Sequence, residues 1–516
     1  MDWLSLIFAL LPILAILLLL ILWRTAADIA GLVGWVLTVV VAVFWFQTPL
    51  SVSLQASLSG IIGSFPISLM VLISILQVTI MLESDAIARI VALVKSVSPQ
   101  NQVVQIMIIN IGFGTVLAAL GATPVSILPP IMLAMGYSSF VAIALPAIGY
   151  DALCTYALLG IPVVIFAQAV NVPVNEVGIY FARFMPIIST CIGLGMLFIV
   201  GGWKMIWKGL IPTLIAGITA GLVALGMNAI QMIPLTGVAA GLAVIIVELI
   251  YLKIIRQPLF DRNALSEKDI EAEKRMPLWK ALSPWIILVI FSIITNVPFL
   301  PFYNLVFAKW AMPLEIIPKE PEKLRILWQA YFWILISTFL ALPFLKPGKE
   351  KMKVVLHKWL KRAPRPVLAS AIFFAIAYVI NHSGKGLDWT LVNPTHNMIN
   401  VIASASAAGL GRFYPIIAPF LGLLGGFVSG SESSAIAMLT RLHLSTAQQI
   451  GTVGVVVAAA SGIGGGLASV ISPAKLQNAA ASIDRIGEEG AVLRVTFVIS
   501  LVITFVCALV SLLWAY

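Results

Sequence analysis

Charge is the scarcest ingredient of this sequence. Only 10% of its 516 residues are Asp, Glu, Lys or Arg, against about 25% in soluble domains. So little charge cannot cover a water-facing surface, which excludes an ordinary soluble globular protein. Cysteine is nearly absent as well: Cys154, Cys191 and Cys507 stand singly in apolar runs. That spacing excludes a disulfide framework and a cysteine metal site and leaves three small packing residues. Histidine occurs four times. His357 lies in a basic stretch, His382 and His396 flank a polar joint and His443 follows a span end, so all four read as surface polar residues and no metal site is expected. No Gly-Lys-Ser/Thr phosphate loop occurs, so nothing supports ATP-driven work by this chain, and no cofactor is implied.

What remains is apolar. Hydrophobic residues make up 61% of the chain, in runs matching the ~20 residues that a helix needs to cross a bilayer core. The runs lack the alternation of a β-barrel, and lipid leaves no other way to satisfy the backbone, so the chain reads as an all-α polytopic membrane protein of about 12–14 helices. Uninterrupted spans read at 4–23, 29–46, 61–82, 180–200, 210–227, 236–252, 284–299, 327–345, 367–380 and 491–514. The first follows Asp2 instead of a basic segment and reads as an uncleaved span. A short amphipathic helix at 86–97 reads as lying in the membrane interface, with a plain loop helix as the alternative.

The net charge of +10 sits mostly in loops, which points to topology and not to nucleic acid. Residues 346–365 hold eight basic residues against Glu350 alone, and 253–280 hold seven against five acids. Both stretches read as cytoplasmic in an inner (cytoplasmic) membrane, which puts the N-terminus outside. The 301–325 loop, with four basic and three acidic residues, fits its outside assignment less well. The count closes only if 103–135 enters and leaves on the cytoplasmic side as a re-entrant hairpin with its tip at Gly121-Ala122-Thr123-Pro124.

Five apolar segments are broken by Gly, Pro or Ser: 103–135, 140–170, 397–410, 415–439 and 450–480. They pair between the halves, GATPVSILPP from Gly121 and GYDALCTYALLGIP from Gly149 against GSESSAIAML from Gly430 and SGIGGGLASVISPAK from Ser461. Paired broken segments point to an inverted-repeat secondary transporter whose site forms where half-helices meet. The expected division is an N-terminal half at 1–252, a cytoplasmic linker at 253–283 and a C-terminal half at 284–516.

A half-helix that starts inside the bundle aims unpaired N–H groups and its positive end at one point, which suits a carboxylate. Beside these breaks stand hydroxyl groups and glycines that let the backbone come close. The candidate binding residues are Gly121, Thr123, Ser126, Tyr150, Thr155, Ser431, Ser433, Ser434, Gly465, Ser472 and Lys475. Any single Gly or Ser among them has a packing alternative. Asp151 and Glu432 are acids in apolar surroundings, where a charge costs at least ~2.5 kcal/mol, and are the candidates for binding a coupling ion. The alternatives are a salt bridge for Asp151 and a helix-dipole complement for Glu432. Arg412 and Arg441 read as snorkelling at span ends.

At these motifs the sequence resembles the lactate permease family. The stretches FVSGSESSAIAML from Phe427, TAQQIG from Thr446 and GGGLASVISPAK from Gly464 carry the likeness in the second half, with GATPVSILPPIMLAMGY from Gly121 and the frame from Ile148 to Pro162 in the first. The chain differs from the family pattern at Tyr150-Asp151-Ala152 and at Lys475. The resemblance implies carriage of lactate-like 2-hydroxy monocarboxylates with protons, with sodium coupling or export of other organic anions as alternatives. It also implies hairpins that move against a scaffold, and a homodimer is the expected assembly. The one enzymatic alternative is an intramembrane protease, which Tyr150-Asp151 superficially suggests. It fails for want of a second buried Asp in a Gly-x-Gly-Asp setting, since Asp484 lies in a polar loop.

Overall fold

The computed structural model describes residues 3–21, 23, 25–97, 100–296, 300–393, 396–429, 431–485 and 487–516. Asp2 and Gly430, which entered the sequence reading, lie outside them. Among the described residues nine helical runs are long and apolar enough to cross a membrane. A tenth counts if Ser283–Asn296 and Pro301–Lys309, bent by 77°, form one span, and five shorter apolar helices accompany them. The run Val174–Ala229 is itself two spans. It reverses at Gly201 and Gly202, and Gly193 faces Thr213, Gly209 faces Leu197, Gly217 faces Thr190 and Gly221 faces Pro186. These pairs share one antiparallel register.

Three elements depart from the expected layout. The third span divides at Ser64 into Leu50–Gly63 and Phe65–Glu83. Residues 348–362 of the basic loop form a helix, anchored where the Lys358 ammonium meets Glu83 and the Trp359 indole N–H donates to the Leu72 carbonyl. A two-stranded hairpin, Met312–Ile317 with Glu320–Leu324, breaks the all-helical pattern. It carries Glu322, which accepts hydrogen bonds from Ser59 and Tyr378.

The hairpin inferred from charge counting is present. The helical run Gln102–Ala119 turns at 120–123 into Pro124–Ala134. Its two arms meet at three levels: Gly114 against Leu128, Asn110 against the Met132 sulfur, and Gln105 accepting from the Tyr137 hydroxyl. All three pairs obey one register, so both arms open at the same end. A second hairpin joins Tyr414–Ser429 to Glu432–Ile450, with Gly425 against Ala435 and Leu439. Gly454–Leu467 then packs parallel to the first of these arms. Contact there is backbone to backbone: a methyl group on Gly422 would sit 1.8 Å from the Ser461 carbonyl oxygen, and one on Gly464 2.0 Å from that of Pro419.

Two histidines correct the sequence reading. His443 is fully buried, with Nδ1 2.8 Å from the Tyr414 hydroxyl and Nε2 2.7 Å from the Ser461 hydroxyl, so it pins three helices together. His382 is buried beside Glu320. An imidazole has two polar atoms, and facing hydroxyls satisfy both inside a bundle, a pairing invisible to sequence. Arg441 lies in the middle of Glu432–Ile450, not at its end.

The helix at 86–95 is covered by protein. The linker helix Glu267–Arg275 grips it through Lys95 with Asp269, at 3.0 Å, and Arg89 with Glu273, at 3.3 Å. The same linker pairs Phe260 with Val97 and Gln257 with Asn101. The linker therefore holds the corner from which the first hairpin starts.

Two predictions follow from these contacts. Gly464→Val should abolish recovery of folded, monodisperse protein in detergent, whereas Gly226→Ala, where a methyl group meets nothing within 4 Å, should leave it unchanged. Equal recovery of both variants would refute the close-packing account. Burial of Asp269 opposes its charged form, but bonds from the Ser266 hydroxyl and amide and from Lys95 outweigh that and hold its carboxyl below the ordinary range. Such a group stabilises above its unfolded value near pH ~4 and loses that contribution as pH falls through the lower folded one. Asp269→Asn should therefore melt below wild type at neutral pH, with the gap closing under acid. A gap that is constant with pH would mean that the clamp does not depend on this charge.

Candidate functional site

Both halves break at one place. In the first, Ser139–Gly149 passes into a 3-10 segment, Tyr150–Tyr156, before Ala157–Val170 resumes. Leu158, Leu159 and Gly160 all take left-handed angles there, with φ of 51°, 57° and 80°. For each leucine that conformation costs roughly 1–2 kcal/mol. In the second half, Gly454–Leu467 passes through Ser469–Ile471 into Pro473–Ala481. Each break frees backbone groups, and side chains from the following helix take them up. Ser189 donates to the Ala152 carbonyl at 2.7 Å, Ser500 to that of Leu467 at 2.9 Å and Thr496 to that of Val470 at 3.2 Å.

The two breaks touch each other. The Val470 amide donates to Asp151 Oδ2 at 3.3 Å, the Thr155 hydroxyl donates to Glu432 Oε1 at 2.7 Å, and Cys154 Sγ lies 3.9 Å from Ser469 Oγ. Lys475 turns back from the first turn of its helix and donates to Ser469 Oγ at 2.6 Å. Asp151, Thr155, Glu432, Ser469 and Ser472 are all buried. Among the described residues Asp151 Oδ1, Glu432 Oε2 and Ser434 Oγ find no hydrogen-bond partner, so the cluster keeps polar capacity unused. Ser431 caps the Glu432–Ile450 helix by accepting from the Ser434 amide, which leaves Glu432 and Ser433 in the first turn. Glycine is required beside them: a methyl group on Gly466 would come within 2.7 Å of Glu432 Oε2, and one on Gly465 within 2.9 Å of the Ala435 Cβ.

The structure thus gathers Asp151, Thr155, Glu432 and Lys475, with Ser433, Ser434, Gly465 and Ser472 on the same short segments. The first hairpin's tip touches both broken helices at other residues. Gly121, at φ +84°, lies against Ser74 and Leu158, and Thr123 is exposed at the start of its helix without capping it. Ser126 accepts from Asn478, which joins that hairpin to the helix after the second break. The Tyr150 side chain lies outside the described residues. Sequence reasoning missed Ser469, although it stands in a quoted motif, and it read Cys154 as packing only. Asn478 carried no signal. Chemically the cluster combines two carboxyls, one ammonium, several hydroxyls and a helix N-terminus, which suits a small anion exchanged together with a cation. The Thr155 bond is testable by a double-mutant cycle of Thr155→Val and Glu432→Gln in thermal unfolding. A coupling of about 1 kcal/mol or more is expected for a buried bond to this carboxyl, and strict additivity would show that the contact carries no stability.

Comparison with known proteins gives a consistent result. The family model described as L-lactate permease matches residues 5–516. Glycolate permease GlcA of Escherichia coli is 26% identical over 99% of this chain and 96% of its own length. L-lactate permeases of Streptococcus iniae and Escherichia coli are each 24% identical, over 86% and 100% of this chain and 91% and 96% of their own.

Proposed function

This chain belongs to the L-lactate permease family, and from that premise we propose that it is a secondary carrier, not an enzyme, that moves lactate-like 2-hydroxy monocarboxylates together with protons. Relatives named for lactate and for glycolate support that substrate class. The observation that carries the site assignment is the meeting of Asp151, Glu432 and Lys475 at the contact between the two breaks. The substrate carboxylate lies against the first-turn amides of the Glu432–Ile450 helix and the Lys475 ammonium. Its 2-hydroxyl faces Thr155, Ser433 and Ser434. Lys475 reaches back to Ser469, next to the Val470 amide that binds Asp151 and beside Cys154, the neighbour of the Thr155 that binds Glu432. While both carboxyls are ionised they outweigh the single positive charge of Lys475 and repel a carboxylate; a proton entering one of them removes that excess, which ties the two cargoes together.

The protein is placed in the inner membrane with the basic segments 253–280 and 346–365 in the cytoplasm and the N-terminus outside. The first hairpin then opens to the cytoplasm, since its base meets the linker, and the second opens to the opposite side. Residues 1–252 and 284–516 form inverted repeats in this reading. Its support is that each broken helix is held by hydroxyls of the helix that follows it.

The test is uptake of labelled L-lactate and glycolate into proteoliposomes under an inward proton gradient without sodium. Wild type should accumulate at least one of them. Lys475→Met should raise KM at least ten-fold, and Asp151→Asn and Ser431→Ala should both lower uptake. Accumulation that needs sodium, or that survives Lys475→Met with unchanged KM, would refute this coupling and this site.

A further inference from the structure

One buried acid takes no part in the site above. Glu248 sits in the second half of Thr236–Ile254, is 0% exposed, and finds no hydrogen-bond partner among the described residues for either carboxyl oxygen. It shares one helix face with Gly237, Gly241, Ile245 and Leu252, because these positions fall within a narrow arc at helical spacing. That face is pressed against the first arm of the first hairpin. A methyl group on Gly241 would lie 2.6 Å from the Gly112 carbonyl oxygen, Ile245 fills the space beside Gly112, and Leu252 clusters with Val104 and Ile108. Glu248 therefore faces the Met107–Phe113 stretch, which is π-helical. Such widened turns inside helices are frequent at functional sites.

Among the described residues no ionisable group of opposite charge pairs with Glu248. The first hairpin arm, 102–119, contains no ionisable residue, and neither does Ala157–Val170. The helical pair 174–229 carries Glu176, Tyr180, Arg183 and Cys191 in its first arm and Lys204 and Lys208 at its turn, and none from 209 to 229. The 3-10 segment with Asp151, Cys154 and Tyr156 touches this helix at Gly237, eleven residues away. On its own helix the nearest are Tyr251 and Lys253, and no described cation reaches ion-pair distance of Glu248. A charged carboxylate so placed costs several kcal/mol, so its neutral form belongs to this packing.

We propose that Glu248 is a second proton-carrying group, which holds its proton while the first hairpin is seated on helix Thr236–Ile254 and exchanges it with water when the two separate. This rests on the proton-coupled reading above. It assigns the coupling proton a residence on the scaffold side of the hairpin, outside the substrate cluster. Loss of the proton then favours the separated arrangement, and its return favours the seated one.

The experiment uses full-length protein in liposomes, with wild type, Glu248→Gln and Glu248→Asp. The amide of glutamine copies the neutral acid, so Glu248→Gln should fold and melt at or above wild type. It should retain lactate exchange between equal pools, lose at least ten-fold of proton-driven accumulation, and show an exchange rate flat with pH. Glu248→Asp should recover part of the pH response. Unchanged accumulation and an unchanged pH profile in Glu248→Gln would overturn the proposal. If wild type neither exchanges nor accumulates any 2-hydroxy acid, the substrate reading fails, and Glu248 is judged by infrared spectroscopy alone. A protonated-carboxyl band at neutral pH, missing in Glu248→Gln and shifted in Glu248→Asp, supports the proposal, and its absence from wild type overturns it.

Discussion

A helix that stops inside an apolar bundle exposes amide and carbonyl groups that must find partners within the protein, because no water is at hand to serve them. Everything at the centre of this molecule follows from meeting that demand twice. The carbonyls of Ala152, Leu467 and Val470 are taken up by Ser189, Ser500 and Thr496. The Val470 amide is taken up by a carboxylate from the opposite half. A polar residue at these positions is thus needed for the break to exist at all. The capacity left after the backbone is satisfied, on Asp151, Glu432 and Ser434, is what can serve a ligand. Structure and function draw on the same atoms and divide them.

The close helix packing serves the same end. Hydrophobic burial gives little drive between helices in lipid, so association depends on close contact. Gly422, Gly426, Gly464 and Gly465 bring backbone against backbone on one side of the cluster. His443, between Tyr414 and Ser461, ties the same three helices through polar bonds. Glu432 is thereby held at the end of a rigid, dry stack, and its geometry toward Thr155 is set by elements far along the chain.

Legibility from sequence followed the range of each interaction. The breaks were visible because Gly, Pro and Ser clusters are local signals, and the first hairpin was visible because loop charge records which side a segment returns to. The pairing of Thr155 with Glu432 spans 277 positions and left no trace in either neighbourhood. The same holds for His443, whose partners lie on two other helices. Glu248 lies inside the span read at 236–252 without a motif to mark it, and only packing shows that its side chain is buried. The Gly121 motif was legible as a turn, but its neighbours, Ser74 and Leu158, assign it to the seating of the hairpin and not to the cluster of acids.

The single register shared by all three contact levels of the first hairpin has a mechanical consequence. Two arms locked at Gln105, Asn110 and Gly114 cannot slide past each other without breaking every pair, so a displacement of the hairpin would carry both arms together as one lever. Its anchored end is at Ser96, Val97 and Asn101, held by Asp261, Phe260 and Gln257. At 1.5 Å per residue the arm 102–119 is roughly 27 Å long, so a rotation of about 10° at the corner sweeps the tip by ~5 Å, close to one helical turn. Residues 257–261 are therefore placed where a small force would have its largest reach.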